Sequence, residues 1–228
     1  MEQWAASDYT VALMKGASLA DGERRSVAER LARYTGLDRA YVERSDLRIE
    51  IMRFCKELLR DRGRTVGRLD SRFVGLDGSK QAERPGFDPS MAAIRPPYTA
   101  ALNDYLRREL GFESDVPYHI LGGGFTGWDW GSAGDGFADT SEPLRQAFAK
   151  NPHMRLFVAS GFYDLATPYY ATEYTLNHMG LDPSLASRVT RRTYEAGHMM
   201  YIDVDELAAL RRDVGAFIAE ASASSGGR

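Results

Sequence analysis

The chain has 228 residues, of which 43% are hydrophobic and 11% aromatic, enough for a folded core and too apolar for a disordered chain. A net charge of −3 provides no attraction to nucleic acid or to an anionic membrane, and no apolar run approaches the length of a membrane span. The one cysteine, Cys55, excludes an internal disulfide; it falls on the apolar face of a predicted helix, so we expect a small core residue.

The first 120 residues predict a mainly helical region. One helix is expected from Asp21, as its N-cap, to Gly36, which ends it. A second covers about 50–60, and a third starts at Thr99 and ends at Gly111. The remaining stretches are a short strand or extended loop at 65–74 and a long surface connection with four prolines at 76–97.

Residues 121–136 are rich in glycine and aromatic side chains, including Trp128 and Trp130. The stretch lacks the Lys-Ser/Thr ending of a phosphate-binding loop. It also contains no set of correctly spaced glycines preceded by a strand. We therefore expect an aromatic-packed loop at a domain junction.

The last 90 residues alternate helices and strands, which is typical of α/β architecture. The run 154–159 is continuously apolar and predicts a strand buried on both faces, as in a parallel sheet. The more polar run 189–194 predicts a second strand nearer an edge. Predicted helices flank these strands: one capped by Ser141 and ending at Asn151, one with Thr167 as N-cap that reaches Gly180, and one led by Asp205.

Two residues that can carry chemistry follow these two strands. Asp164 comes shortly after the first strand and His198 shortly after the second. Functional residues of open α/β sheets lie just past the carboxyl ends of the strands, so adjacent strands would bring the pair together. A carboxylate beside an imidazole sets its tautomer and stabilises the imidazolium, and the order Asp before His is that of an α/β-hydrolase triad whose serine lies upstream.

The local sequence around both residues resembles the serine carboxypeptidase family. Residues 160–168, Ser-Gly-x-x-Asp-x-x-x-Pro, are similar to its aspartate motif, and 197–199, Gly-His-Met, to its histidine motif. The longer segments 162–168, 194–201 and 97–105 resemble the bacterial branch of the family.

The resemblance implies the C-terminal portion of an α/β-hydrolase fold. Residues 1–120 would be a mainly helical cap or insertion, and 121–228 the C-terminal part of the core that carries the Asp and the His. The implied activity is release of C-terminal residues from peptides through an acyl-enzyme, with Asp164 and His198 as catalytic residues and without a cofactor. Five aromatic residues are candidates for lining the peptide pocket, although ordinary packing explains each of them as well: Trp128, Trp130, Tyr163, Tyr169 and Tyr170.

No serine in the chain lies in the Gly-x-Ser-x-Gly elbow that an α/β-hydrolase nucleophile needs. Ser18 lacks the second glycine and follows a helical stretch, and Ser132 has the wrong spacing. The nucleophile and the oxyanion loop are therefore expected in a missing N-terminal half, and the chain alone should be inactive. If that half carries a signal peptide, the protein would be periplasmic or secreted; otherwise the compartment stays open.

Alternative functions remain open at this point. An esterase or acyltransferase could use the same Asp–His pair, and a non-catalytic binding protein could derive from such an enzyme. A metal site is disfavoured because the four histidines show no paired-ligand spacing. Nucleic-acid binding by the arginine-rich stretch 53–72 is disfavoured because acidic residues interrupt it and no aromatic ladder accompanies it.

Overall fold

A computed structural model describes residues 1–119, 129, 131 and 138–223. Over these residues the chain is mixed α/β, with many helices and two sheets of two strands each. The helices of the first half are α1 (Glu2–Trp4), α2 (Thr10–Lys15), α3 (Asp21–Thr35), α4 (Arg39–Arg44), α5 (Ile51–Glu57) and α6 (Pro89–Asp104).

The helices α1 to α4 enclose one apolar core. A π-helical turn, Ala5–Tyr9, joins α1 to α2, so that Trp4 and Ala12 face α3 and are buried. The predicted end of α3 is confirmed, because Gly36 adopts φ 75°, a left-handed conformation that favours glycine. Its start differs slightly: Ala20 is the N-cap, and Asp21 is the first helical residue. The buried members of this core are Trp4, Ala12, Leu19, Ala28, Leu31, Leu37, Val42 and Leu47.

The prediction for α6 was wrong at its start. The helix begins at Pro89, inside the stretch predicted to be a surface connection, and its regular α-helical part ends at Asp104. Asp88 caps it by accepting hydrogen bonds from the backbone N–H groups of Ser90 and Met91, and a proline at the first helical position costs nothing. The later pair Pro96 and Pro97 also lies within the helix, in the stretch that was predicted to be a surface connection.

A small antiparallel sheet follows α5. Strands β1 (Arg64–Val66) and β2 (Val74–Leu76) pair with Thr65 opposite Gly75, so the stretch predicted as strand or loop is two short strands joined by a loop. Cys55 is 1% exposed, as expected for a core residue, and its carbonyl accepts a hydrogen bond of 3.0 Å from the hydroxyl of Thr65.

The second sheet carries the site. Strands β3 (Leu156–Gly161) and β4 (Val189–Tyr194) are parallel and run in register from Leu156 opposite Val189 to Gly161 opposite Tyr194. The predicted bounds of β4 are confirmed, whereas β3 begins two residues later than expected. The helices around the sheet are α7 (Ser141–Lys150), α8 (Tyr169–His178) and α9 (Val204–Ala223).

Strand β3 is not buried on both faces as its apolar run predicted. Most of its residues are only partly buried, and within the described residues β4 is its only partner strand. Helix α9 covers part of one face, where the rings of Phe157 and Phe217 lie 5.4 Å apart. None of the described helices combines the length and the apolar composition needed to cross a bilayer.

Candidate active site

The carboxylate of Asp164 lies in the turn that follows β3 and is 4% exposed. It accepts four hydrogen bonds. Oδ1 accepts from the backbone N–H groups of Ala166 (2.7 Å) and Thr167 (3.0 Å), and Oδ2 accepts from the hydroxyl of Thr167 (2.6 Å). The fourth contact joins Oδ2 to Nδ1 of His198 at 2.8 Å. Burial by itself would raise the pKa of Asp164, but these hydrogen bonds outweigh it and hold the pKa below its ordinary value.

This arrangement sets the tautomer of His198. An ionised carboxylate can only accept hydrogen bonds, so Nδ1 carries a proton and donates a hydrogen bond to Asp164. The lone pair of the neutral ring is then on Nε2, which has no hydrogen-bond partner among the described residues. The side chain is 43% exposed, so Nε2 is free to accept a proton from a group that approaches from outside.

The parallel register explains why the two residues meet. Gly161 and Tyr194 end their strands side by side, and the backbone N–H of Tyr163 then donates to the carbonyl of Ala196 (3.0 Å). The turn after β3 and the turn after β4 therefore stack on each other. This stacking brings Asp164 and His198 together although 34 residues separate them in the chain.

The aromatic candidates take different positions. Tyr163 donates its hydroxyl to Glu195 (2.8 Å), and this hydrogen bond raises the pKa of Tyr163. The carboxylate of Glu195 is exposed and serves as the acceptor for Tyr163. One face of the Tyr163 ring is covered by the guanidinium of Arg72, 4.8 Å from the ring centre. Tyr163 is thus held within a side-chain network.

Tyr169 and Tyr170 open α8 and contact the N-terminal helix instead. The hydroxyl of Tyr169 donates to a carboxylate oxygen of Glu2 (2.6 Å), and that of Tyr170 to the carbonyl of Glu2 (3.4 Å). Burial and the contact with Glu2 raise the pKa of Tyr169 to about 12. Tyr169 also packs edge-to-face against Phe162 at 5.2 Å. The other two candidates, Trp128 and Trp130, lie outside the described residues.

Two contributors were missed by sequence reasoning. Thr167 was predicted to cap α8, but Pro168 is the N-cap, and the Thr167 hydroxyl bonds to Asp164 and lies 3.2 Å from Nδ1 of His198. An Asp followed three residues later by Thr is a known local hydrogen-bonding pattern and could have indicated this contact. The second contributor is the loop between β1 and β2, because the carbonyl of its Leu69 accepts a hydrogen bond from the N–H of His198. No feature of the sequence had indicated this contact.

Other features of the described residues lie apart from the pair. A cavity between the N-terminal helices and α3 is lined by Trp4, Asp8, Val11 and Lys15, among others, and does not include Asp164 or His198. In the part of the chain that the structure describes, no three His, Cys, Asp or Glu side chains come together as metal ligands.

Comparisons with family models, with curated proteins and with solved structures find no match for this chain. The described residues define a mixed α/β chain in which a buried, ionised carboxylate orients an exposed imidazole. The chemistry open to such a pair is general acid–base catalysis beside a nucleophile.

Proposed function

We propose that Asp164 and His198 are the acid–base pair of a serine-carboxypeptidase-like α/β-hydrolase, which releases C-terminal residues from peptides. The observation that carries this proposal is the 2.8 Å contact between Nδ1 of His198 and Oδ2 of Asp164, made at the carboxyl ends of two adjacent parallel strands with Nε2 left open. The motif resemblance around both residues adds the family and the substrate class.

In the proposed reaction, Nε2 of His198 takes the proton of a serine hydroxyl as the serine oxygen attacks the peptide carbonyl. The imidazolium that forms is stabilised by Asp164, which stays ionised. His198 then returns the proton to the leaving amine, so that the C-terminal residue departs and an acyl-enzyme remains. In the second half-reaction His198 deprotonates water, which attacks the ester and restores the serine.

The serine is supplied by polypeptide outside these 228 residues. Ser18, the nearest match to an elbow serine, lies in a 3₁₀ turn after α2 and donates its hydroxyl to the carbonyl of Lys15 (2.8 Å). A nucleophile elbow instead requires a strand-to-helix turn that exposes the hydroxyl. Ser18 therefore lacks the setting of a nucleophile.

Incomplete burial around β3 and β4 also supports this proposal. Parallel sheets normally have both faces covered. Here α8 and α9 contain no fully buried residue among those described, and large apolar side chains of α9 stay accessible, with Leu207 45% and Ile218 56% exposed. A serine-bearing half with further strands of the same sheet would cover this surface.

The test joins the chain to the in-frame coding region upstream of Met1 and assays release of the C-terminal residue from an N-blocked peptide. We expect activity, its loss in His198→Ala, and its retention in His178→Ala, since His178 is an exposed residue that stacks on Tyr174. The 228-residue chain alone should not react with a serine-directed phosphonate. Activity that survives His198→Ala, or strong labelling of the chain alone, would overturn the proposal.

The same assay separates the rival functions. Turnover of simple esters without peptide hydrolysis would indicate an esterase, and transfer of the acyl group to an added alcohol or amine would indicate an acyltransferase. If no upstream region encodes Gly-x-Ser-x-Gly, the non-catalytic alternative takes the place of the hydrolase.

A further inference from the structure

The loop between β1 and β2 lies against both turns of the proposed site. We infer that its residues 68–72, here called the clamp segment, are a positioning element that holds His198 against Asp164, and that Arg72 is its key residue. The inference rests on the proposed function for its catalytic meaning, but its geometry is independent of that function.

Backbone hydrogen bonds tie the clamp segment to both turns. The N–H of His198 donates to the carbonyl of Leu69 (2.7 Å), and the N–H of Leu165 donates to the carbonyl of Arg68 (3.0 Å). In addition, the N–H of Ser71 donates to the carbonyl of Tyr163 (3.0 Å). One short segment therefore fixes residues on either side of Asp164 and the backbone of His198 itself.

The packing leaves little freedom at the His198 turn. A Cβ atom on Gly197 would lie 2.4 Å from Cβ of Asp70 and 2.5 Å from the carbonyl oxygen of Leu69. Since these distances are far below van der Waals contact, the clamp segment and the turn touch backbone to backbone. Glycine at 197 is what permits this approach.

Arg72 connects the segment to the turn through its side chain. Its Nε and Nη2 donate to the two carboxylate oxygens of Asp70 at 3.0 and 2.8 Å, and Nη1 donates to the carbonyl of Glu195 at 2.8 Å. The fork geometry and the third donor are properties of a guanidinium that a lysine lacks. The carboxylate of Asp70 is buried, so loss of its partner would displace the segment.

Arg72 thus joins Asp70 of the clamp segment to the carbonyl of Glu195, close to the turn that carries His198. The role we assign to Arg72 is positional, since Arg72 contacts neither the imidazole ring of His198 nor the carboxylate of Asp164. Without it, the clamp segment would keep its hydrogen bonds to Asp88 and Ser90 at the start of α6 but would hold the backbone of His198 less firmly. The imidazole would then sample orientations in which Nδ1 leaves Asp164.

The test uses the 228-residue chain labelled with ¹⁵N and compares Arg72→Met with Arg191→Met. Both arginines are 38% exposed and ion-paired, but Arg191 contacts Glu173 and Asn177 on α8. We expect Arg72→Met to speed hydrogen exchange of the His198 amide roughly tenfold relative to the amides of β3. It should also shift the neutral imidazole toward the Nε2–H tautomer, whereas Arg191→Met should change neither.

Unchanged exchange and tautomer in folded Arg72→Met, or an equal acceleration at the β3 amides, would overturn the inference. Should Arg72→Met fail to fold, Arg72→Lys decides: it keeps the charge but cannot bind Asp70 and Glu195 together, so we expect the same selective change. Because this measurement needs no nucleophile, its failure is distinguishable from failure of the proposed hydrolase activity.

Discussion

Gly161 and Gly197 approach each other so closely that a Cβ atom on Gly161 would lie 2.2 Å from the carbonyl oxygen of Gly197. Gly161 ends β3 just before the turn that carries Asp164, and Gly197 lies in the turn that carries His198. Their contact sets the spacing between the turns and leaves no room for a methyl group.

Gly161→Ala should therefore destabilise the chain by about 1–3 kcal/mol, because the added methyl group must push the two backbones apart. Urea denaturation, monitored by circular dichroism, measures this change in the free energy of unfolding. The matched control is Gly215→Ala in α9, where a Cβ meets nothing within 4 Å, so that alanine should stabilise the helix by about 0.5–1 kcal/mol. Equal stability of Gly161→Ala and the wild type would contradict the close packing described for these turns.

The hydroxyl of Thr167 should control the acid stability of the chain through Asp164. The pKa of Asp164 is lowered in the folded chain, so the stabilisation by its carboxylate is complete above about pH 4, the unfolded value. This stabilisation is lost as the pH falls through the folded-state pKa. Thr167→Val removes a donor to Oδ2, so we expect the folded-state pKa of Asp164 to rise; acidification should then cost less stability, and the loss should be complete at a higher pH.

Urea denaturation between pH 3 and pH 7 tests this for Thr167→Val and Thr167→Ser. Serine keeps the hydroxyl and should restore the wild-type pH dependence, while valine should lower stability at neutral pH by about 1 kcal/mol. Coincident pH profiles of the valine and serine variants would show that the hydroxyl does not act on Asp164.

Lys56 forms a buried ion pair with Asp77, whose side chains are 0% and 2% exposed. The hydrogen bond from Lys56 lowers the pKa of Asp77, and the ammonium group also donates to the carbonyl of Ser79. Lys56→Met should cost about 3–5 kcal/mol, because it leaves a buried carboxylate without its partner. Thermal and urea unfolding measure this loss.

Two variants check the cause. Lys15→Met removes the exposed pair with Glu23 and should change stability by no more than about 0.5 kcal/mol. The double variant Lys56→Met, Asp77→Leu should recover part of the loss, since the orphaned charge is gone. A double variant less stable than Lys56→Met would show that the charge of Asp77 is not the source of the cost.

The sequence predicted those helix ends and strand bounds that are determined by residues close together in the chain. The end of α3 at Gly36 followed from glycine chemistry, and the bounds of β4 followed from the run 189–194. The start of α6 was missed because the proline-containing stretch 76–97 was interpreted as a surface connection, whereas Asp88 supplies a cap and Pro89 fits the first helical position. The role of Thr167 was missed because a threonine just before a helix can either cap the helix or bind a nearby carboxylate. The sequence does not distinguish the two.

The sequence by itself determined that an aspartate and a histidine each follow a strand, since residue order and apolar runs are properties of the chain alone. Only the tertiary structure decided that they touch, because the contact depends on the parallel pairing of β3 with β4 across 34 residues. The tertiary structure also decided that Arg72 supports the turn of His198. Arg72 does so by binding the carbonyl of Glu195, which is 123 residues further along the chain. No local propensity encodes such a distance, and backbone contacts of this kind follow only from how the sheets and loops pack.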